Sequence, residues 1–201
     1  YLVMVTKQGL VKKTPLRDYD SRNATLVAIN LVDGDEVVAV RTTNGENDML
    51  VFTEMGQGIR FSEKDLRPMG RATRGVRGVK LRAGDRVIGA ASSADGEQVL
   101  LLTSGGYGKR VKMDGFPNQR RGGLGVKAIK LTRVRGTLVG ARAIIDGTDI
   151  FVISSDGVVI RTEVNQISRQ KREASGVKVM NMPVGTTISA FAPVPFEEDE
   201  D

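Results

Sequence analysis

One pattern returns four times along this chain at intervals of about fifty residues, and it governs what the chain can fold into. Each copy is an apolar run followed by a hydroxyl residue, a glycine and a basic residue: LVMVTKQGLVKKT from Leu2, MLVFTEMGQGIRFS from Met49, VLLLTSGGYGKRVK from Val99 and IFVISSDGVVIRTE from Ile150. With the hydroxyls Thr6, Thr53, Thr103 and Ser154 in register, Gly9, Gly56, Gly106 and Gly157 align, and Lys13, Arg60, Arg110 and Arg161 follow four residues later. A second block trails each first one: TLVAINL ending at Leu31, GVRGVKL at Leu81, GVKAIKL at Leu131 and GVKVMNM at Met182. A period of this length belongs to radial or stacked units, none of which can bury its apolar face alone.

Inside each unit, short runs of Val, Ile, Leu and Thr are separated by glycine turns, which is the chemistry of strands rather than helices. The pattern predicts an all-β chain with about four strands per unit. In the third unit they fall near 98–103, 107–112, 125–131 and 137–145, with turns at 104–106 and at Arg135–Gly136. The acidic turns Asp33-Gly34-Asp35 and Ala83-Gly84-Asp85 hold the place of the latter turn in the first two units. The predicted repeats are about 1–47, 48–97, 98–148 and 149–195, one domain without a linker, followed by an acidic tail at 196–201.

No stretch of eighteen apolar residues is present, so neither a membrane span nor a signal peptide is expected. The chain has no cysteine, hence no disulfide framework and no thiolate metal site, and a reducing cytoplasm is its natural home. The formal charge is +6, from 30 basic and 24 acidic residues. Five of the acidic ones are the run Glu197–Asp201, so without them 30 basic residues face 19 acidic and the body carries +11. A basic body with an acidic tail reads as a nucleic-acid surface with a built-in competitor, or as an ordinary surface beside a solubilising tail.

Placement of the charge favours the first reading. Just before the second block, the third unit has FPNQRRGGLG (116–125), and the matching segments hold Arg71 and Arg74 in the second unit and Lys171 and Arg172 in the fourth. A merely solvated face has no reason to keep one sign at one address in three units. The first unit departs, with Arg22 alone among Asp18, Asp20 and Asn23. Lys13, Arg60, Arg110 and Arg161 make a second recurrent set, and in a radial arrangement both sets form rings that suit the phosphates of a curved duplex, although strand exchange between units can turn either one inward. With six Phe, three Tyr and no Trp, stacking platforms for single strands are scarce. Because arginine grips a phosphate with two donors, Arg120 and Arg121 are expected to outweigh Lys127 and Lys130.

Catalysis has little to build on. Histidine is absent, which removes the commonest general base and the commonest metal ligand. Ser104 and Lys109 are close in sequence, but the other copies of that turn lack the pair, and Asp33 with Asp35 reads as a turn former rather than a cation site. GGYGKR (105–110) lacks the spacing of a phosphate loop. No catalytic residue, cofactor or metal is expected.

QRRGGLG (119–125) resembles the seven-residue box of the DNA gyrase A subunit at six of seven positions, with Leu124 where that family has Lys or Arg. GLVKK (9–13), IRFSEKDLRPMGRAT (59–73) and TSGGYGKR (103–110) are similar to the C-terminal DNA-wrapping domain of the same subunit, and the resemblance covers essentially the whole chain. It implies a propeller-like β-pinwheel whose blades exchange strands, with duplex DNA bent around a basic rim in support of ATP-dependent negative supercoiling. It further implies a piece of a longer subunit working with the rest of gyrase A and with gyrase B in an A2B2 assembly, with cleavage and ATPase sites elsewhere. The box it points to supplies Gln119, Arg120, Arg121, Gly122, Gly123 and Gly125 as expected DNA-binding residues; the recurrent basic positions add Lys13, Arg60, Arg71, Arg74, Arg110, Lys127, Arg161, Lys171 and Arg172. The alternatives are the matching domain of topoisomerase IV, which wraps DNA little, and a propeller-like protein-interaction scaffold without a nucleic-acid role.

Overall fold

The computed structural model describes residues 1–194, so the acidic run Glu197–Asp201 lies outside the described residues. The first repeat forms β1 (Leu2–Thr6), β2 (Leu10–Thr14) and β3 (Val37–Thr42), and the second forms β4 (Asp48–Thr53), β5 (Gln57–Ser62), β6 (Val76–Arg77) and β7 (Val87–Ser92). The third gives β8 (Gln98–Thr103), β9 (Tyr107–Lys112), β10 (Val126–Lys127) and β11 (Leu138–Ile144), and the fourth gives β12 (Asp149–Ser154), β13 (Val159–Glu163), β14 (Val177–Lys178) and β15 (Ile188–Pro193).

The repeated hydroxyl and glycine do the same local work in every blade. The amide of Gly9, Gly56, Gly106 or Gly157 donates to the carbonyl of the hydroxyl residue three positions earlier. That residue's own side-chain oxygen accepts the amide of Leu10, Gln57, Tyr107 or Val158. All four glycines have φ between 80° and 86°, a left-handed conformation open to glycine at low cost. This closes the hairpins β1–β2, β4–β5, β8–β9 and β12–β13.

The second block of each repeat does not stay at home. β6 pairs antiparallel with β2 of the first blade, β10 with β5 of the second and β14 with β9 of the third. The sheet orders are β3-β1-β2-β6, β10-β5-β4-β7 and β11-β8-β9-β14, while the fourth sheet is three-stranded, β13-β12-β15. Each crossing strand is short, two residues in ladder, where the sequence predicted one of seven. It is extended by main-chain bonds to the hairpin turn: the Gly9 carbonyl accepts Gly78 N–H, Gly56 accepts Ala128 and Gly106 accepts Val179, each at 2.8 Å. Thr25–Leu31, the second block of the first repeat, forms no strand.

The core lies between blades. Side chains alternate faces along a strand, so in β4 Met49 and Val51 pack toward β1 of the first blade, while Leu50 and Phe52 pack toward β8 of the third. In β8, Val99 and Leu101 face back and Leu100 and Leu102 face the fourth blade. A strand sandwiched on both faces has to be apolar throughout, which explains the unbroken MLVF and VLLL runs. Phe52 meets Phe116 edge-on at 5.5 Å between ring centroids. The acidic turns are structural: Asp35 Oδ1 accepts Gln8 and Glu36 amides, and Asp85 Oδ1 accepts Met55 and Arg86 amides.

Candidate nucleic-acid interface

A recurring loop precedes each crossing strand: residues 69–75, 119–125 and 170–176. Its entry is fixed by one main-chain bond to the edge strand of the preceding blade, from Met69 N–H to Lys13, from Gln119 N–H to Arg60 and from Gln170 N–H to Arg110, at 2.8–2.9 Å. Its third residue is always arginine, and that guanidinium reaches back to the preceding crossing segment: Arg71 donates to the Val27 carbonyl, Arg121 to Arg77 and Arg172 to Lys127, at 3.0–3.1 Å. Main-chain bonds reinforce the row, including Gly122 N–H to Gly78 and Lys80 N–H to Gly123. The loops are thus stitched into one continuous rail.

Along this rail the exposed cations are Arg74, Arg120 and Lys171 from the loops, with Arg77, Lys127 and Lys178 at one aligned position of the crossing strands. Lys80 and Lys130 lie exposed three residues further on. A groove of about 540 Å³ opens beside the last loop, between Lys112 and Asp114 on one side and Arg169 to Glu173 on the other. Arg77, Lys178 and Lys80 were missed from sequence. Their signal was available, since Arg77, Lys127 and Lys178 share the third place of the second block. Arg71, Arg121 and Arg172 are half-buried, their guanidiniums engaged by the carbonyls just named, and Arg172 also approaches Glu173 at 3.4 Å. In the box, Gln119 is half-buried, Leu124 is exposed, and Gly122 and Gly125 have φ of 83° and 71°.

Of the second expected ring, Lys13, Arg60 and Arg110 turn inward and Arg161 stays exposed. Lys13 is buried, its ammonium donating to the Glu63 carbonyl at 2.8 Å and standing 3.7 Å from the Glu63 carboxylate. That carboxylate, fully buried, also accepts Thr43 Oγ1 and the amides of Gly45 and Asn47. Arg60 pairs with Asp48 at 2.6 Å and reaches the Met113 and Phe116 carbonyls of the next blade. Arg110 pairs with Asp146 at 2.6 Å and reaches Ile167 and Asn165. In each case the cation caps a short 3-10 turn of the following blade, at Glu63–Asp65, Met113–Gly115 and Val164–Gln166. These three side chains join blades because that turn offers carbonyls where the neighbour's sheet ends. Among the described residues Arg161 has only its Asp149 partner, at 2.6 Å, and its side chain is 60% exposed against 12% for Arg110. Arg110→Ala is therefore expected to lower unfolding free energy by about 1–2 kcal/mol, since it strands the carbonyl of buried Ile167, and Arg161→Ala by under about 1 kcal/mol, as for an exposed pair. Urea melts of the two variants measure the contrast.

Beneath two of the loops lies a buried lysine. Lys109 donates to the carbonyls of Lys171 (2.9 Å), Arg172 (2.5 Å) and Ala174 (2.9 Å), and Lys12 donates to those of Ala28 (2.5 Å) and Arg71. Burial, with the charge of Arg172 adding to it, pushes Lys109 down to about 7. Three carbonyls match the three N–H donors of the ammonium, which is the form this cradle is shaped to hold. Ser104, far from that cradle in bonding, accepts the Thr137 amide. No group of three or more His, Cys, Asp or Glu that could hold a metal occurs among the described residues.

The family model described as DNA gyrase C-terminal domain, beta-propeller matches residues 1–44, 47–94, 97–144 and 148–195. The chain is 45% identical over 195 residues to the DNA gyrase A subunit of Mycolicibacterium smegmatis, covering 96% of this chain and 23% of that protein. It is 40% identical over 202 residues to the DNA gyrase A subunit of Staphylococcus epidermidis, covering 99% of this chain and again 23% of the relative. The chain thus spans about a quarter of the length of the curated relatives it matches. Among solved structures, a DNA gyrase A C-terminal domain superposes with a TM-score of 0.85 at 25% identity, over 96% of this chain and 65% of that one. The C-terminal domain of DNA topoisomerase IV superposes with a TM-score of 0.89 at 26% identity, over 96% and 61%. Four strand-exchanging blades, the repeated box-like loops and these matches converge: the chain belongs to the DNA gyrase C-terminal domain family of β-propellers, in its β-pinwheel form.

Proposed function

We propose that this domain bends and wraps duplex DNA along the rail of loops and crossing strands, as the non-catalytic DNA-binding part of a gyrase A subunit. The observation that carries the reading is the aligned trio Arg77, Lys127 and Lys178, all exposed, one to each of three consecutive crossing strands and flanked by Arg120 and Lys171. Regularly spaced cations on a curved scaffold neutralise phosphates without reading bases, which makes binding sequence-independent and steeply salt-dependent. Bending a site of about 20–30 base pairs by 40–90° costs on the order of 1–6 kcal/mol, so several cations must act together. In the whole subunit, together with gyrase B in an A2B2 assembly, this wrap presents a segment for strand passage and gives ATP-dependent negative supercoiling in the bacterial cytoplasm, with cleavage and ATP hydrolysis carried out by other parts.

The test is topological. A nicked plasmid is ligated with the domain bound, the protein is removed, and the linking number is compared with a protein-free control. A shift that grows with protein and vanishes in Arg120→Ala/Lys127→Ala is expected. Binding without a shift favours the topoisomerase IV-like reading, for which the likeness to that enzyme's C-terminal domain is the supporting observation. No binding even at about 50 mM salt overturns the nucleic-acid reading.

A further inference from the structure

The strand residue preceding the inter-blade cation is Lys12, Ile59, Lys109 and Ile160 in the four blades, and in the first three it lies under the loop donated by the next repeat. Where it is lysine, the residue is fully buried and its ammonium is bonded to carbonyls, three of the loop for Lys109 and, for Lys12, one of the loop and that of Ala28; the carbonyl of the loop arginine is used in both cases: Arg71 over Lys12 and Arg172 over Lys109. Where it is Ile59, no ammonium stands below, and the loop above carries Gly122 and Gly123, with the Ile59 Cδ1 methyl 3.6 Å from the place a Gly123 side chain would occupy. The loops over lysine have Ala72–Thr73 and Glu173–Ala174 in place of that pair. Without a second left-handed glycine those loops aim carbonyls at the blade, and an inward carbonyl in an apolar setting requires a donor.

We infer that Lys109 and Lys12 are positioning residues for the rail, each holding from below the loop that presents exposed cations, and that Ile59 with the Gly122–Gly123 pair is the alternative device in the intervening blade. The inference rests on the reading of the rail as a phosphate-binding surface, though the hold itself does not. Lys171 and the Arg172 guanidinium project from the very peptides whose carbonyls Lys109 gathers, so loss of the ammonium frees the segment carrying them. Three bonds to one ammonium also set that loop's spacing from β9, and hence the distance between Lys171 and the next exposed cation on the rail, Lys178.

Two readouts on Lys109→Met, which keeps the length and removes the donors, test this. Amide hydrogen exchange over Lys171–Gly176 is expected to quicken about tenfold while exchange over β8 stays as in the parent. The slope of log affinity for a duplex against log salt is expected to become shallower by about 0.9 for each phosphate no longer neutralised, one or two in all. The transplant Lys109→Ile/Glu173→Gly/Ala174→Gly, which installs the second blade's device in the third, is expected to restore the slope. Unchanged exchange overturns the inference, as does faster exchange with an unchanged slope in a protein that still binds DNA. If the parent does not bind DNA, the rail reading fails and exchange alone decides whether Lys109 organises the loop. Should Lys109→Met fail to fold, the transplant decides: a folded, DNA-binding protein supports the inference, and an unfolded one overturns it.

Discussion

Gly125→Ala should unfold this domain at markedly lower denaturant, by about 3–5 kcal/mol, because two costs coincide at that residue. Its φ of 71° lies in the left-handed region, where an L side chain loses roughly 1–2 kcal/mol. A Cβ there would also stand 2.5 Å from the Gly58 carbonyl oxygen and 2.8 Å from its carbon, both backbone atoms of β5 that cannot step aside alone. Relief requires β10 to leave β5, and with it the strand that the third repeat lends to the second blade. Gly157→Ala separates the two costs, since Gly157 has φ of 86° but nothing within 4 Å of its would-be Cβ, and should cost only about 1 kcal/mol. Equal losses in urea melts would show that conformational strain alone governs the site.

Arg77→Ala/Lys127→Ala/Lys178→Ala should largely abolish duplex binding at physiological salt while leaving the urea midpoint close to that of the parent. All three side chains are exposed; Arg121 and Arg172 use only the carbonyls of Arg77 and Lys127, and the Lys178 ammonium, 5.8 Å from the Tyr107 ring centroid, makes an exposed cation–π contact worth about 0.5–1 kcal/mol. Three phosphates released correspond to a salt slope shallower by about 2.7. By contrast Arg121→Ala should weaken binding through loop geometry, because its guanidinium already serves the Arg77 and Asp65 carbonyls. A triple variant that retains the parental slope would place the duplex elsewhere on the molecule.

Much of this architecture is legible from the repeats, since Thr103 and Gly106 do the same local job as Thr6 and Gly9 and local chemistry aligns without gaps. The destination of the second block is not legible from composition or periodicity, and only the family resemblance implied strand exchange. GVKAIKL at 125–131 has the composition of an ordinary strand, and nothing in its residues says that Val126 and Lys127 pair with the hairpin of the preceding repeat. The inward turn of Lys13, Arg60 and Arg110 was hidden for a related reason, because their acceptors, Glu63, Met113 and Ile167, come from the next blade and are about fifty residues away. One clue was in plain view. The position that reads Lys12, Ile59, Lys109, Ile160 does not keep a charge in every blade, as a phosphate-binding ring would, and in the first three blades it is covered.

Strand lending also sets a timetable for synthesis. None of the first three blades can be finished by its own repeat, since β2 waits for β6, β5 for β10 and β9 for β14. As the chain leaves the ribosome at about 5–20 residues per second, each of these hairpins stands with one edge bare for roughly 3 to 13 s until the crossing strand of the following repeat arrives. During that interval the nascent molecule displays one unpaired edge at its growing end, and each newly made repeat caps the last while exposing its own.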